Sequence, residues 1–346
     1  MATDGYKKRI YIAYTGGTIG MQASKSGFVP VAGFLGKTLA NLPEFHRAEM
    51  PDFELHEYDT LIDSSDMVPG DWQAIADDIH ANYQLYDGFI ILHGTDTMAY
   101  TASALSFMFE NLAKPVIVTG SQIPLAQLRS DGQDNLLNAL YIAANYPIAE
   151  VSLFFNNSLY RGNRARKVNA NGFHAFDSPN YSILLDAGID IQSHVEIKKP
   201  QIEYSDLLLT KIQSQAVGML TLYPGMDTGL LKNILQQPVK ALILLTYGVG
   251  NAPSSPALLK QLAFAREQEI MVINCTQCLR GKVDMAGYAN GQTLQEVGVL
   301  SGQDMTPEAT LAKLHYVLSQ TDLSFEQQQA LMSQNLRGEM SIELAP

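Results

Sequence analysis

A chain of 346 residues, 46% apolar and 17% charged, is long enough for two packed domains and too poor in charge to be a disordered polyelectrolyte. Its 23 basic and 35 acidic residues give a formal charge of −12. That field repels phosphate backbones and anionic lipid, so neither nucleic acid nor membrane is an expected partner.

The basic residues Lys7, Lys8 and Arg9 lead only into a short strand-like run, Ile10–Tyr14, well short of a secretory core. No apolar stretch approaches the roughly 20 residues that span a bilayer, and a cytoplasmic protein is expected. A second strand is predicted over Phe53–Tyr58. A helix follows over Trp72–Tyr83, with Pro69 in its first turn and Ile75, Ile79 and Tyr83 on one stripe. Strand Phe89–His93, helix Thr97–Leu112, strand Val116–Thr119, helix Leu128–Asn145 and strand Val151–Phe155 continue the alternation.

The rhythm weakens through a polar, proline-containing stretch around Gln192–Pro200. It resumes with strand Val217–Tyr223, helix Asp227–Gln236, strand Ala241–Thr246, helix Pro256–Glu269 and strand Ile270–Asn274. Helices Pro307–Ser319 and Phe325–Asn335 close the chain. The strands are nearly continuous in apolar content, as strands covered on both faces are. The expected class is α/β in two domains. A larger N-terminal domain, residues 1–190, has a mixed or parallel sheet flanked by helices. Residues 191–212 link it to a smaller domain with a Rossmann-like parallel sheet, residues 213–346.

Several strands run into glycine: Thr15-Gly16-Gly17-Thr18-Ile19-Gly20, His93-Gly94-Thr95-Asp96-Thr97, Thr119-Gly120-Ser121, Tyr223-Pro224-Gly225 and Tyr247-Gly248-Val249-Gly250. Ligands of open parallel sheets bind outside the carboxyl ends of the strands. Glycine there allows a sharp turn and close approach to the main chain. The dinucleotide spacing G-x-G-x-x-G, the P-loop pattern and the G-x-S-x-G elbow are all absent from these turns, which disfavours a nicotinamide oxidoreductase. The two cysteines, Cys275 and Cys278, are spaced C-x-x-C. Without further Cys or His partners they read as free thiols rather than a metal or redox site. A threonine hydroxyl needs a neighbouring base to act as nucleophile. Of the seven histidines, His93 lies in a strand-like run and the other six carry no motif, so a threonine, a lysine and an aspartate form the more economical set.

The segments Tyr14–Gly20 and Ile91–Met98 resemble the two signatures of bacterial-type L-asparaginases. The resemblance runs essentially the whole chain through Asp63–Met67, Val118–Gln122, Tyr160–Lys167 and Tyr247–Pro253, in that order. Similarity is greatest to the type I, cytoplasmic enzymes, in agreement with Ser65 where periplasmic members have glutamine. The resemblance implies that Thr18 attacks the substrate carboxamide and forms an acyl-enzyme, with Thr95, Asp96 and Lys167 handling protons. Asp96 would also hold the α-ammonium, and Asp63, Ser64 and Ser65 the α-carboxylate. The alternative assignment makes Thr95 the nucleophile and Thr18 its helper. L-asparagine is the implied substrate and L-glutamine a weaker one. No metal or organic cofactor is implied. An intimate dimer, or a pair of dimers, is implied as well, with Asn251 reaching a second copy's site.

Two departures stand out. The tyrosine that family members carry in the loop after the nucleophile is here Phe28. The arginine with which some type I enzymes bind an activating asparagine is here Leu245, beside Thr276, Gln277 and Cys278, and Arg166 replaces a small residue next to Lys167. A degenerate allosteric site is therefore expected. Two rivals remain: the amidase subunit of a tRNA-dependent amidotransferase, and a non-catalytic amino-acid-binding module on the same scaffold.

Overall fold

The computed structural model describes residues 7–25, 27–195, 206–287 and 289–341. The chain divides into two compact units, Met1–Thr210 and Lys211–Pro346.

The first unit is built on an eight-stranded sheet. From one edge its strands are Asp52–Ile62, Arg9–Gly16, Gly88–Leu92, Val116–Thr119, Val151–Phe155, Ser158–Arg161, Leu185–Ala187 and Ile191–Ser193. The first five pair in parallel, and the last three add antiparallel pairings, so the sheet is mixed. The Gly88–Leu92, Val116–Thr119 and Val151–Phe155 strands are wholly buried, because helices cover both faces. Asp52–Ile62 departs from the expected continuous burial. As an eleven-residue edge strand it alternates between exposed and half-buried positions.

The helix expected over Thr97–Leu112 is Met98–Met108, after which Phe109–Glu110 pairs with Leu208–Leu209. The helix expected from Leu128 begins only at Gly132, after Arg129 adopts a positive φ of 66°. The short helix Phe34–Ala40 lacks the length for a sequence signal. Within the stretch expected as linker, Ile191–Ser193 forms the far edge of the sheet. Residues 196–205 lie outside the described ones.

The path of the chain positions the site. From Arg9–Gly16 the chain crosses to Asp52–Ile62 on one side, then to Gly88–Leu92 on the other. This reversal opens a crevice at the carboxyl ends of Arg9–Gly16 and Gly88–Leu92, where open α/β sheets bind their ligands.

The second unit has four parallel strands in the order Val217–Thr221, Ala241–Thr246, Met271–Thr276 and Leu300–Ser301. Successive residues feed opposite faces. Leu242, Leu244 and Val272 join one apolar cluster, and Ala241, Ile243, Ile273 and Cys275 the other. Helices Thr228–Leu235, Pro256–Glu267, Pro307–Leu318 and Phe325–Met332 lie close to their predicted spans, and Ala289–Glu296 is additional. No helix among the described residues is long and apolar enough to cross a membrane.

Candidate active site

The glycines of the two threonine-bearing turns are required by contact. Gly17 has φ 86°, and a Cβ on it would lie 2.4 Å from the amide nitrogen of Gly94. A Cβ on Gly94 would meet Ser64 Oγ at 2.4 Å, and one on Gly16 would meet the carbonyl of Ile62 at 2.2 Å. Three segments, 16–17, 94 and 62–64, therefore close on one another with no room for a methyl group. Thr15 ties the first to the second, its hydroxyl donating to the Leu92 carbonyl at 2.9 Å. Thr18 then opens a single 3₁₀ turn, Thr18–Gly20, half-buried at the mouth of the crevice.

His93 is fully buried and does not serve as a base. Its Nδ1 lies 2.6 Å from the Gly94 carbonyl, which can only accept, so Nδ1 carries the proton. Nε2 then accepts from the Thr101 hydroxyl at 2.8 Å. Burial lowers the pKa of this imidazole to about 4. Because that value lies below the unfolded one near 6.5, the stabilisation is fully present above pH 6.5 and is lost as pH falls toward 4. The expected loss is about 3 kcal/mol. Burial also lowers His315 in the second unit, in the same direction. Urea midpoints measured from pH 7 to pH 4 check the slope, which His93→Gln is expected to flatten.

Thr95, Asp96 and Lys167 come together. Lys167, in a two-residue strand paired with Phe176–Asp177, donates to Thr95 Oγ1 at 2.9 Å and to Asp96 Oδ1 at 2.7 Å. Thr95 is buried, while the Asp96 side chain is 63% exposed, which leaves its second oxygen open to a ligand. A residue given no role by sequence completes the group. Gln122 Oε1 accepts from the Thr95 hydroxyl at 3.0 Å, and its Nε2 donates to the carbonyls of Gly172 and Ala170 at 3.1 and 3.3 Å. Its position just after the Thr119-Gly120-Ser121 strand end was the available signal.

Asp63 caps the Ser64–Asp66 turn, accepting from both the Ser65 amide and hydroxyl at 2.9 Å. Ser64 is buried against Gly94, and its carbonyl accepts from the Thr97 hydroxyl at 2.7 Å. Phe28 lies in the Met21–Ser24/Gly27–Pro30 hairpin, opposite Ala23, with half its surface exposed.

In the second unit Asn251 closes a tight turn, exchanging backbone hydrogen bonds with Tyr247 at 2.8 and 2.9 Å. Leu245 is half-buried in its strand between Thr221 and Cys275. The Thr276 hydroxyl donates to the Gly248 carbonyl and accepts from the Cys278 amide. Gln277 Nε2 donates to the carbonyls of Leu222 and Leu245 at 2.7 and 2.9 Å. Cys275 is buried, with its Sγ 3.4 Å from the Thr310 hydroxyl, and Cys278 is exposed; neither is in a disulfide. Among the described residues no cluster of three or more His, Cys, Asp or Glu has the arrangement of a metal site.

The family described as "Asparaginase, N-terminal" matches residues 9–202, and "Glutaminase/Asparaginase C-terminal domain" matches residues 216–332. The chain belongs to the asparaginase family. It is 62% identical to L-asparaginase 1 of Escherichia coli K12, over 97% of this chain and 98% of that one. It superposes on L-asparaginase I of Vibrio cholerae with a TM-score of 0.91 at 62% identity, covering 97% of this chain and 100% of that structure. The amidotransferase relative is more distant. A component of the Glutamyl-tRNA(Gln) amidotransferase of Methanobrevibacter smithii is 31% identical over 99% of this chain and 79% of its own length. Among these relatives, identity to the two asparaginases is about twice that to the amidotransferase component.

Proposed function

We propose that this asparaginase-family chain hydrolyses L-asparagine to L-aspartate and ammonia, with Thr18 as the nucleophile. The observation that carries the reading is Lys167 Nζ seated 2.9 Å from Thr95 Oγ1 and 2.7 Å from Asp96 Oδ1, beside the Thr18 turn packed on Gly94. Thr18 Oγ attacks the carboxamide carbon and passes its proton to the lysine-centred group. The tetrahedral adduct collapses to an ester on Thr18, and the amide nitrogen leaves as ammonia after gaining a proton. Water then attacks the ester, giving aspartate and restoring the hydroxyl. The exposed Asp96 oxygen suits the α-ammonium, and the α-carboxylate is assigned to the Asp63–Ser65 turn, which is already hydrogen-bonded within itself.

The second assignment, attack by Thr95, has the Lys167–Thr95 contact in its favour. Ammonia release from L-asparagine and L-glutamine by the wild type, Thr18→Ala and Thr95→Val separates the readings. No turnover of either amide by the wild type defeats the function, and activity retained in Thr18→Ala defeats the nucleophile. L-Glutamine, one methylene longer, is expected to turn over about 10- to 200-fold less well.

The finer readings follow the resemblance: a cytoplasmic enzyme, an intimate dimer or pair of dimers, and Asn251 closing the site of a second copy. Leu245 offers no guanidinium to an activating carboxylate, and Gln277 already spends its amide on strand-end carbonyls. A hyperbolic rate curve against L-asparagine is therefore expected. A strongly sigmoidal curve, made hyperbolic by Cys278→Ala, would overturn this.

A further inference from the structure

The direction of every hydrogen bond around Thr95 is forced by chemistry, starting from two backbone carbonyls. The carbonyl oxygens of Ala170 and Gly172 can only accept, so the nitrogen of the Gln122 amide must face them. Its oxygen must then face Thr95, and that oxygen also only accepts. The single proton of the Thr95 hydroxyl is thereby committed to Gln122. It follows that the Thr95–Lys167 bond is carried by a lysine N–H and not by the threonine. A second position on Nζ points at Asp96. The proton that Lys167 can give or take is the third, which neither Thr95 nor Asp96 shares.

The Gln122 backbone is held as firmly as its side chain. The Asp131 carboxylate accepts from the amides of Gln122 at 3.0 Å and Ile123 at 3.1 Å. Asn135 braces Asp131 at 3.2 Å while holding the Gly120 carbonyl at 3.0 Å. On the far side, Asn169 Oδ1 accepts from the amides of Asn171 and Gly172 and so fixes the turn that presents the two carbonyls. That turn directly follows Lys167. Gln122 thus joins the strand end at 120, the Thr95 hydroxyl and the lysine-bearing loop.

We infer that Gln122 is a positioning residue that sets the proton direction along the Gln122–Thr95–Lys167 chain. Thr95 then presents a lone pair to the site and acts as an acceptor that orients an N–H or O–H of substrate or water. Its own proton has no base to go to, because an amide oxygen does not take one up. This disfavours Thr95 as the attacking group and leaves the attack to Thr18. The inference rests on the amidohydrolase reading, whose substrate supplies the assay.

The test compares Gln122→Met and Gln122→Glu in the full chain with the wild type on L-asparagine, across pH 5 to 8. The methionine variant keeps the length but orders no proton, so kcat is expected to fall about 10- to 100-fold with KM within about three-fold. An ionised glutamate has no proton for the Ala170 and Gly172 carbonyls, whereas a protonated one donates its single proton to one of them and still accepts from Thr95. The ratio of Gln122→Glu to wild-type kcat is therefore expected to rise at least about five-fold from pH 8 to pH 5 as the carboxyl protonates. A merely structural role would leave that ratio flat. A flat ratio, or a methionine variant within about two-fold of wild-type kcat, overturns the inference. If Gln122→Met fails to fold by circular dichroism, the glutamate ratio decides. Absence of wild-type turnover would instead defeat the amidohydrolase function, so the two failures are distinct.

Discussion

Thr18→Ala is expected to lower kcat for ammonia release by about 10⁴-fold or more, because in the proposed mechanism it deletes the covalent nucleophile and with it the acyl-enzyme route. The geometry makes this substitution clean. The turn is shaped by Gly16 and Gly17 and by the Thr15 hydroxyl on Leu92, none of which an alanine at 18 disturbs. The half-buried position loses only a hydroxyl and a methyl group. Thr95→Val has a different expected signature. It takes away the acceptor of Lys167 and leaves Gln122 Oε1 without its donor. The expected loss is about 10²- to 10⁴-fold in kcat, because the lysine that handles the proton loses the acceptor that orients it. Single-turnover assays sharpen the comparison. Thr18→Ala should form no acyl-enzyme trapped by rapid quench, whereas Thr95→Val should still form one, slowly. An acyl-enzyme in Thr18→Ala, or its complete absence only in Thr95→Val, reverses the two roles.

The second large effect is on stability and lies in the second unit. Lys313 and Glu339 form an ion pair at 2.6 Å with both side chains fully buried. Glu339 also accepts from the amides of Leu336 and Arg337, and Lys313 donates to the Gln334 carbonyl. The pair thus pins the segment after the last helix, Phe325–Met332, onto the helix Pro307–Leu318. Burial pushes the Lys313 ammonium below its ordinary pKa, partly offset by Glu339. Removing one partner strands the other charge out of water. Lys313→Met is therefore expected to destabilise the unit by about 3–5 kcal/mol. The double variant Lys313→Met/Glu339→Leu is expected to recover only part of this, since the two amides on Glu339 lose their acceptor. Calorimetric unfolding of the three proteins reads the difference. A single variant within about 1 kcal/mol of wild type would show that water reaches the pair.

Much of this architecture was legible because the interior strands are covered on both faces. Val116–Thr119, Val151–Phe155 and Ala241–Thr246 read as nearly continuous apolar runs and have those bounds. A mixed sheet is among the expectations, but the individual antiparallel strands of the first sheet are not legible, for a local reason. Asn156 and Asn157, both at positive φ, make the two-residue turn that folds Ser158–Arg161 back on Val151–Phe155. An Asn-Asn pair is a weaker hairpin signal than Asn-Gly. The lysine, threonine and aspartate of the site stand in recognisable segments, and the fold brings them within hydrogen-bond distance. Gln122 stands just past a recognisable strand end, yet its role is not legible there because it depends on carbonyls about fifty positions away, and main-chain atoms carry no sequence signature. Lys313 was hidden for the opposite reason, since a lysine in a helix ordinarily keeps its head in water.

The stack of Gly17, Gly94 and Ser64 also limits how the crevice can be redesigned. Its positions are not independent variables. A Cβ at 94 would fall 2.4 Å from Ser64 Oγ and 2.7 Å from Ser64 Cβ, yet 3.4 Å from Gly17 Cα. Bulk can therefore be added at 94 only by removing it at 64, and Ser64 belongs to the turn proposed to receive the substrate carboxylate. A search that varies one residue at a time meets a clash at 94, and at 64 it gives up a side chain of the turn proposed to bind the substrate. A library that varies 64 and 94 together can reach sequences that no series of tolerated single steps connects.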